Sequence, residues 1–485
     1  MTAPALPRLR SRPVAREDRR ALMVVWIGTA VFAAVHAALI VGRFHRFGVY
    51  TFDFGIFDQG LWLLSRFDDP FVTLRGLNLF ADHSSYIMVL LTPLYWIWAD
   101  PRVLLVVTVV ALAASGPLLF AIGRRIGLRP TLAAAISLAF LVHPAMRWAT
   151  WDNFHPELLV PPLMLGALLL ILNERPWWAF GLVAIALTAK EDVALVAVPF
   201  GLWVAWRYHR WAGLTMAAAA TGAFALNFLV LLPAFSPTGE VLYTGRYTEY
   251  GTSALGIIGG VAANPVSVLG DITRADSLAY LRDMVLTAPT SLAAPVVLLL
   301  GLPITMANAL STHFYQIDIR YHYTIYLLTA VGIAALYGAR WLQTRASRTA
   351  YGWIVAAVVL AAFLGLGPGP DGSAWDGLED AAAVEAAIDL IGPDDVVSAN
   401  STLAVHLAHR TTVYRFPNPF RELDYGTPGI DYDPPAGDVE WIILDPNRLV
   451  NFAYANETLT ELLADRTNPW EPVISTDGVL LLRRR

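Results

Sequence analysis

At 485 residues, with 56% hydrophobic and 15% charged side chains, the chain carries well under the roughly 25% charge of a soluble protein, which excludes a soluble globule, a nucleic-acid binder, a disordered chain and a collagen-like fibre. It has no cysteine, so disulfides, thiolate metal sites and cysteine nucleophiles are excluded too. The net charge of −5 hides a basic start (six Arg against Glu17 and Asp18 in residues 1–20) and an acidic tail (eight Arg against twenty acids in 369–485), with Lys190 the only lysine; this is the composition of a polytopic membrane protein.

A membrane-spanning helix needs ~20 mainly apolar residues. Apolar runs predict helices at 22–41, 86–98, 103–122, 131–146, 158–172, 177–189, 193–206, 211–232, 277–290, 292–310, 322–340 and 351–367, so the chain has about 11–12 hydrophobic segments. The first follows a long basic stretch and is followed by many others, which marks an uncleaved span after a cytoplasmic N-terminus, residues 1–21. Arg-rich short loops at 124–129, 207–210 and 340–348 belong in the cytoplasm. That orientation puts 42–85, 143–157, 190–192, 233–276 and 311–321 outside, together with everything after 369. Segment 86–98 then starts and ends outside, and with Pro93 inside it it reads as a re-entrant or interfacial helix. The run Gly367-Pro-Gly-Pro-Asp-Gly372 closes the membrane domain, 22–368. Beyond it, helical patterns at 381–391, 402–408 and 458–464 alternate with β-rich runs at 395–398, 411–416, 440–444 and 472–482. The last contains the turn signal Thr476-Asp477-Gly478. The fold class expected is an all-α polytopic membrane domain followed by a small extracytoplasmic α/β domain, 369–485. No nucleotide-binding fingerprint is found in that domain, and no internal repeat stands out.

Ionisable residues at membrane depth are expensive and are candidates for function. Asp53 and Asp58 stand five apart among aromatics after the first span, with Gln59 beside the second. Phe52 and Phe54 flank Asp53 and are expected to limit water and raise its pKa. His83 precedes segment 86–98; Asp152, His155 and Glu157 open segment 158–172; and Lys190, Glu191 and Asp192 separate two short apolar segments. His313, Arg320 and His322 open the span 322–340 and together suit an anionic group. A bland reading competes at each place: an interfacial helix for 51–62, a helix cap for Asp152 and Asn153, a self-neutralising turn for 190–192, an aromatic belt for 313–323. No known metal-ligand spacing appears, so a metal is left unassigned. His36, His45, His143, His209, His406 and His409 read as structural or surface residues.

The motifs Phe52-Asp53-Phe-Gly-Ile-Phe-Asp58-Gln59, Phe154-His155-Pro156-Glu157 and Lys190-Glu191-Asp192 resemble an uncharacterised family of predicted bacterial membrane proteins, which in turn is similar to the GT-C superfamily of integral-membrane glycosyltransferases. The resemblance spans the chain. It implies a multi-pass enzyme of the inner (plasma) membrane that moves a sugar, with inversion, from a polyprenyl-phosphate donor to a glycan, lipid or protein acceptor outside. Asp53 or Asp58 would be the catalytic base in the first external loop. Gln59, His83, Asp152, His155, Glu157, Lys190, Glu191, His313, Arg320 and His322 would bind substrate, with Arg320, His322 and Lys190 on the donor phosphate. A divalent cation could share that last task. A transporter or lipid flippase, or a non-catalytic envelope scaffold, is the alternative; no nucleic-acid partner is expected.

Overall fold

The computed structural model describes residues 16–367, 369–370, 381–427, 436–449, 452–464, 469–476 and 478–485; most of the basic start, the linker at 371–380 and Asp477 of the expected turn lie outside them. Helix α1, Arg16–His45, has Glu17 and Asp18 in its first turn and Arg43 and His45 in its last, charges that complement the helix dipole. Trp26, Ile27 and Val31 on α1, and Trp353 and Phe363 on Arg348–Gly365, are more than half exposed, a surface that suits lipid rather than water. Among the described residues, five helices are long and apolar enough to cross a membrane: Glu17–His45, Arg102–Arg125, Arg210–Phe235, His322–Arg345 and Arg348–Gly365. Around them sit shorter apolar helices, including Ile87–Ile97, Pro156–Leu172 and Pro176–Ala186. Helices Ala194–Arg207 and Arg210–Leu226 meet backbone to backbone, since a Cβ on Gly213 would fall 2.1 Å from the Ala205 nitrogen; small residues are what permit such an approach.

Two breaks matter for the site. Pro130–Leu141 and Pro144–Trp151 are bent by 42°, because proline cannot continue the first helix. The second helix therefore ends at Trp151 and delivers the segment 152–157 to the interior. The stretch 233–276, expected as a loop, contains Ala254–Ala263 and Pro265–Ile272, bent by 91° at Asn264-Pro265. Its apolar residues are interrupted by glycine, asparagine and proline, so no continuous run marks it in the sequence.

The C-terminal domain is a five-stranded mixed sheet in the order β4-β3-β5-β7-β6. β3 (Val397–Ala399) lies parallel to β4 (Val413–Arg415) and to β5 (Trp441–Leu444), while β7 (Val479–Arg484) runs antiparallel to β5 and to β6 (Trp470–Thr476). Helices Ala381–Ile388 and Phe452–Ala464 accompany it.

This domain docks on the first loop and on α2, Phe54–Ser65. The Thr51 N–H donates to the Ser401 carbonyl at 2.7 Å. Gln59 donates to the Arg410 carbonyl at 3.1 Å and accepts from the Leu74 N–H at 3.2 Å. The Thr73 hydroxyl accepts from the Val413 N–H and donates to its carbonyl, at 2.9 and 2.8 Å. Residues 73–76 join β1 (Phe71–Val72) to β2 (Leu77–Asn78), and Arg75 and Gly426 exchange two further bonds of 2.8 Å. Gly76 has φ +70 and faces the Tyr425 ring, which a Cβ would meet at 2.1 Å, so only glycine fits there.

Candidate active site

Asp53 is the N-cap of α2 but makes no capping bond, and its backbone sits at φ 65. Asn153, on the facing segment, has φ 67. Two non-glycine residues with left-handed backbone at one site are strained positions held by their surroundings, a feature that clusters where chemistry occurs. Freed from capping, the Asp53 side chain is 44% exposed to a cavity and lies 3.5 Å from His155 Nε2.

Behind Asp53 runs a chain of buried groups. The rings of His155 and His322 stack at 3.6 Å and 22°. The backbone N–H and Nδ1 of His322 both reach Asp152 Oδ2, at 2.8 and 2.9 Å, and Nε2 lies 3.5 Å from Glu157. The Lys190 ammonium donates to Glu157 at 2.7 Å and lies 3.9 Å from Asp192, which accepts from the Tyr326 hydroxyl at 2.6 Å. His83 Nδ1 lies 2.8 Å from Glu191, which also accepts the Ser84 N–H at 3.0 Å. Imidazoles and the Lys190 ammonium lie among the carboxylates of this chain, and the Lys190–Glu157 pair compensates its own buried charges.

Electrostatics follow from that order. Burial opposes the charge on Asp53, but the adjacent His155 ring, 3.5 Å away, and the His322 and His83 rings outweigh it and hold the carboxyl well below its ordinary range. The rise expected from its phenylalanine neighbours is overturned by these rings. Burial pushes Asp152 up to about 7, against His155 and the His322 N–H and with help from Asp53 and Glu157. Burial also disfavours the charged form of His155, but Asp53, Asp152 and Glu157 prevail and raise it.

Two cavities meet here. A polar one of about 840 Å³ is lined by Asp53, His83, Asp152, His155, Glu157, Lys190, His313 and His322, and by Arg415, Glu422 and Asp424 of the C-terminal domain. A mainly apolar one of about 380 Å³ is lined by Phe224, Phe228, Ile257, Ile258, Pro303 and Leu310, and also by Glu191 and Asp192. Both include His83, Lys190, Tyr243, Arg246 and Tyr323. Arg246 lies 4.3 Å over the Tyr243 ring and 5.9 Å from the Tyr323 ring, and no carboxylate among the described residues forms an ion pair with it.

Three residues singled out in the sequence stand elsewhere. Asp58 is fully buried, 3.1 Å from His409 Nε2 and bonded by the Tyr95 hydroxyl; it lies one helical turn inside α2 and faces the interdomain contact. Gln59 likewise spends its amide on the C-terminal domain. Arg320 turns back on Asp318, 2.6 Å away, is 56% exposed and lines neither cavity. Conversely, Arg246 gave no sequence signal because it sits in a stretch without apolar or motif context, and Arg415 and Glu422 lie some 360 residues from Asp53. His409, read as structural or surface, is the partner of Asp58.

Comparison with known proteins agrees with the fold. A family described as "Predicted membrane protein (DUF2079)" matches residues 43–481. Among solved structures, ArnT from Cupriavidus metallidurans bound to undecaprenyl phosphate is similar over 94% of this chain and 97% of that chain, with a TM-score of 0.55 at 14% identity. The same protein in its apo state gives a TM-score of 0.45 at 15% identity over the same shares. No curated protein matches the chain. The fold is similar to that of the ArnT structure: a polytopic helical domain with a small C-terminal sheet domain.

Proposed function

This chain belongs to the DUF2079 family of predicted membrane proteins, and from its site we propose that it is a membrane glycosyltransferase that takes a sugar from a polyprenyl-phosphate donor and passes it to an acceptor hydroxyl with inversion. One observation carries the reading: a polar cavity with an open carboxylate abuts an apolar pocket, and Lys190 and Arg246 stand at their junction. A prenyl phosphate has that polarity, with its first isoprene units in the apolar pocket and its phosphate at the junction. The neighbour of similar fold is bound to undecaprenyl phosphate, which supports the same class of lipid here.

In the proposed reaction the acceptor oxygen attacks the sugar's anomeric carbon and Asp53 takes its proton. The bond from that carbon to the phosphate oxygen breaks, and the electron pair leaves on the polyprenyl phosphate. The lowered pKa keeps Asp53 ionised but also makes it a weaker base, so its role rests on its position at the cavity and on proton transfer as the new bond forms. Arg246 stabilises the charge gathering on the phosphate with a planar donor fork, and Lys190 adds a charge held in place by Glu157. His155, 3.5 Å from Asp53, orients the carboxylate. Asp152, His155 and His322 offer ligand atoms within 4.8 Å of one another, and both His155 nitrogens are buried without a hydrogen-bond partner, so these three fit a divalent cation. When bound, such a cation would supply further positive charge toward a phosphate.

Undecaprenyl phosphate binding to the purified protein in nanodiscs tests the lipid assignment. Hydrogen bonds to charged groups are worth ~1.5–3 kcal/mol, so Arg246→Gln should bind at least about tenfold more weakly, whereas Arg320→Gln should bind as the wild type does. Equal binding by Arg246→Gln would remove the phosphate from the junction.

A further inference from the structure

Part of the wall of the polar cavity belongs to the C-terminal domain, and its chemistry is distinctive. Arg415 is 4% exposed and donates from Nη2 to Asp424 Oδ2 at 2.9 Å and to the Leu423 carbonyl at 3.2 Å. Its Nε is buried and has no hydrogen-bond partner, although the residue lines the cavity. A buried donor left without a partner is costly unless something else accepts from it. Its guanidinium lies 4.8 Å over the Phe52 ring, so it stands beside the residue that precedes Asp53. Glu422 lines the same wall, is exposed, and has no ion-pair partner among the described residues. The wall is held in place rather than loosely apposed. Arg75 Nη1 donates to the Asp424 and Gly426 carbonyls at 3.1 and 2.8 Å, and Tyr425 is seated on Gly76.

We propose that this wall is the acceptor subsite, that Arg415 and Glu422 are its specificity-determining residues, and that it takes an uncharged, hydroxyl-rich acceptor, a saccharide. The proposal rests on the donor reading above for the identity of the donor side. Arg415 and Asp424 neutralise each other, so the subsite offers an oxygen ligand a free N–H donor without a large field. Glu422 offers lone pairs to hydroxyl hydrogens, and Tyr50 and Phe52, also lining the cavity, offer ring faces to the C–H face of a sugar. With Arg415 and Asp424 paired, Glu422 is the uncompensated charge of this wall, and a phosphorylated acceptor would meet it unfavourably. A hydroxyl seated here is presented toward Asp53, which removes its proton.

Saturation-transfer NMR on the full-length protein in nanodiscs, with a panel of methyl glycosides and their amino and phosphate analogues as probes, tests this. The neutral glycosides should bind, and Glu422→Gln should weaken them about tenfold, the loss of a hydrogen bond to a charged group. Arg415→Gln should do the same, but that change also breaks bonds within the wall. Glu422→Gln touches an exposed side chain and therefore carries the test. Undecaprenyl phosphate affinity, measured on the same samples, should be unchanged in Glu422→Gln. Wild-type protein that binds no neutral glycoside, binding confined to amino or phosphate analogues, or full glycoside binding by Glu422→Gln would each overturn the proposal. Glycoside binding that depends on Glu422 while undecaprenyl phosphate fails to bind would sink the donor reading alone.

Discussion

Lys190→Met is expected to be among the most damaging single changes in the chain. Glu157 is 1% exposed and Lys190 4% exposed, with 2.7 Å between their charged atoms. Removing one partner from such a pair leaves an uncompensated buried charge, at a cost of about 3–5 kcal/mol. The reverse change, Glu157→Gln, is milder, because Lys190 keeps Asp192 at 3.9 Å and the Tyr323 ring at 5.1 Å; about 1–3 kcal/mol is expected for a buried group losing one of its partners. The double variant removes the close pair together and leaves only Asp192, partly exposed and still bonded by Tyr326, without its cation; its cost should be about 2 kcal/mol or less, since isosteric replacement of a whole pair is often near neutral. The coupling energy is therefore at least about 2 kcal/mol. Reversible SDS titration of the four proteins in mixed micelles measures it. Additive losses, with the double variant as unstable as the two singles summed, would refute the claim that these residues compensate each other.

Other outcomes follow from the same geometry. Asp58→Asn should weaken interdomain docking by about 1–3 kcal/mol, seen as earlier proteolysis of the C-terminal domain, while undecaprenyl phosphate binding persists. His409 is disfavoured as a cation by burial and by Arg66, but Asp58 and Asp100 prevail and raise its pKa; Tyr95 and Trp62 are its other neighbours. Its contribution to stability is therefore complete below its ordinary pKa and is lost as pH climbs through the raised value. Denaturation from pH 6 upward should show that decline, and His409→Gln should flatten it. Cysteine at Ser475 should react with a membrane-impermeant thiol reagent in intact cells and cysteine at Ser347 should not, since Arg-rich short loops belong inside; the opposite labelling would reverse the orientation.

How legible this was depends on the kind of signal. Helices such as Arg102–Arg125 and His322–Arg345 are long and mainly apolar, and the expected segments 103–122 and 322–340 fall on them. The bent pair at Asn264-Pro265 escaped because neither half alone is long enough. Ionisable residues with no reason to sit among apolar segments drew notice to Asp53, His155, Glu157 and Lys190, which the fold brings into one chain of contacts. Sequence spacing could not separate Asp53 from Asp58. The difference is that α2 begins at Phe54, leaving the first acid at a strained, uncapped entry and turning the second toward Tyr95 and His409. Nor could it show that Arg320 is spent on Asp318 two residues away. Arg246, Arg415 and Glu422 were hidden for another reason: their role depends on long-range packing, which no local pattern encodes.

The most direct test of the central claim is turnover. Purified protein in nanodiscs, given a panel of polyprenyl-phosphate-linked sugars and neutral glycoside acceptors, should release polyprenyl phosphate from at least one donor. Asp53→Asn keeps the shape of the side chain but cannot take the proton, so release should fall by ~10²–10⁴-fold while undecaprenyl phosphate binding holds. Release at the wild-type rate by Asp53→Asn, or no release from any donor in the panel, would contradict the account.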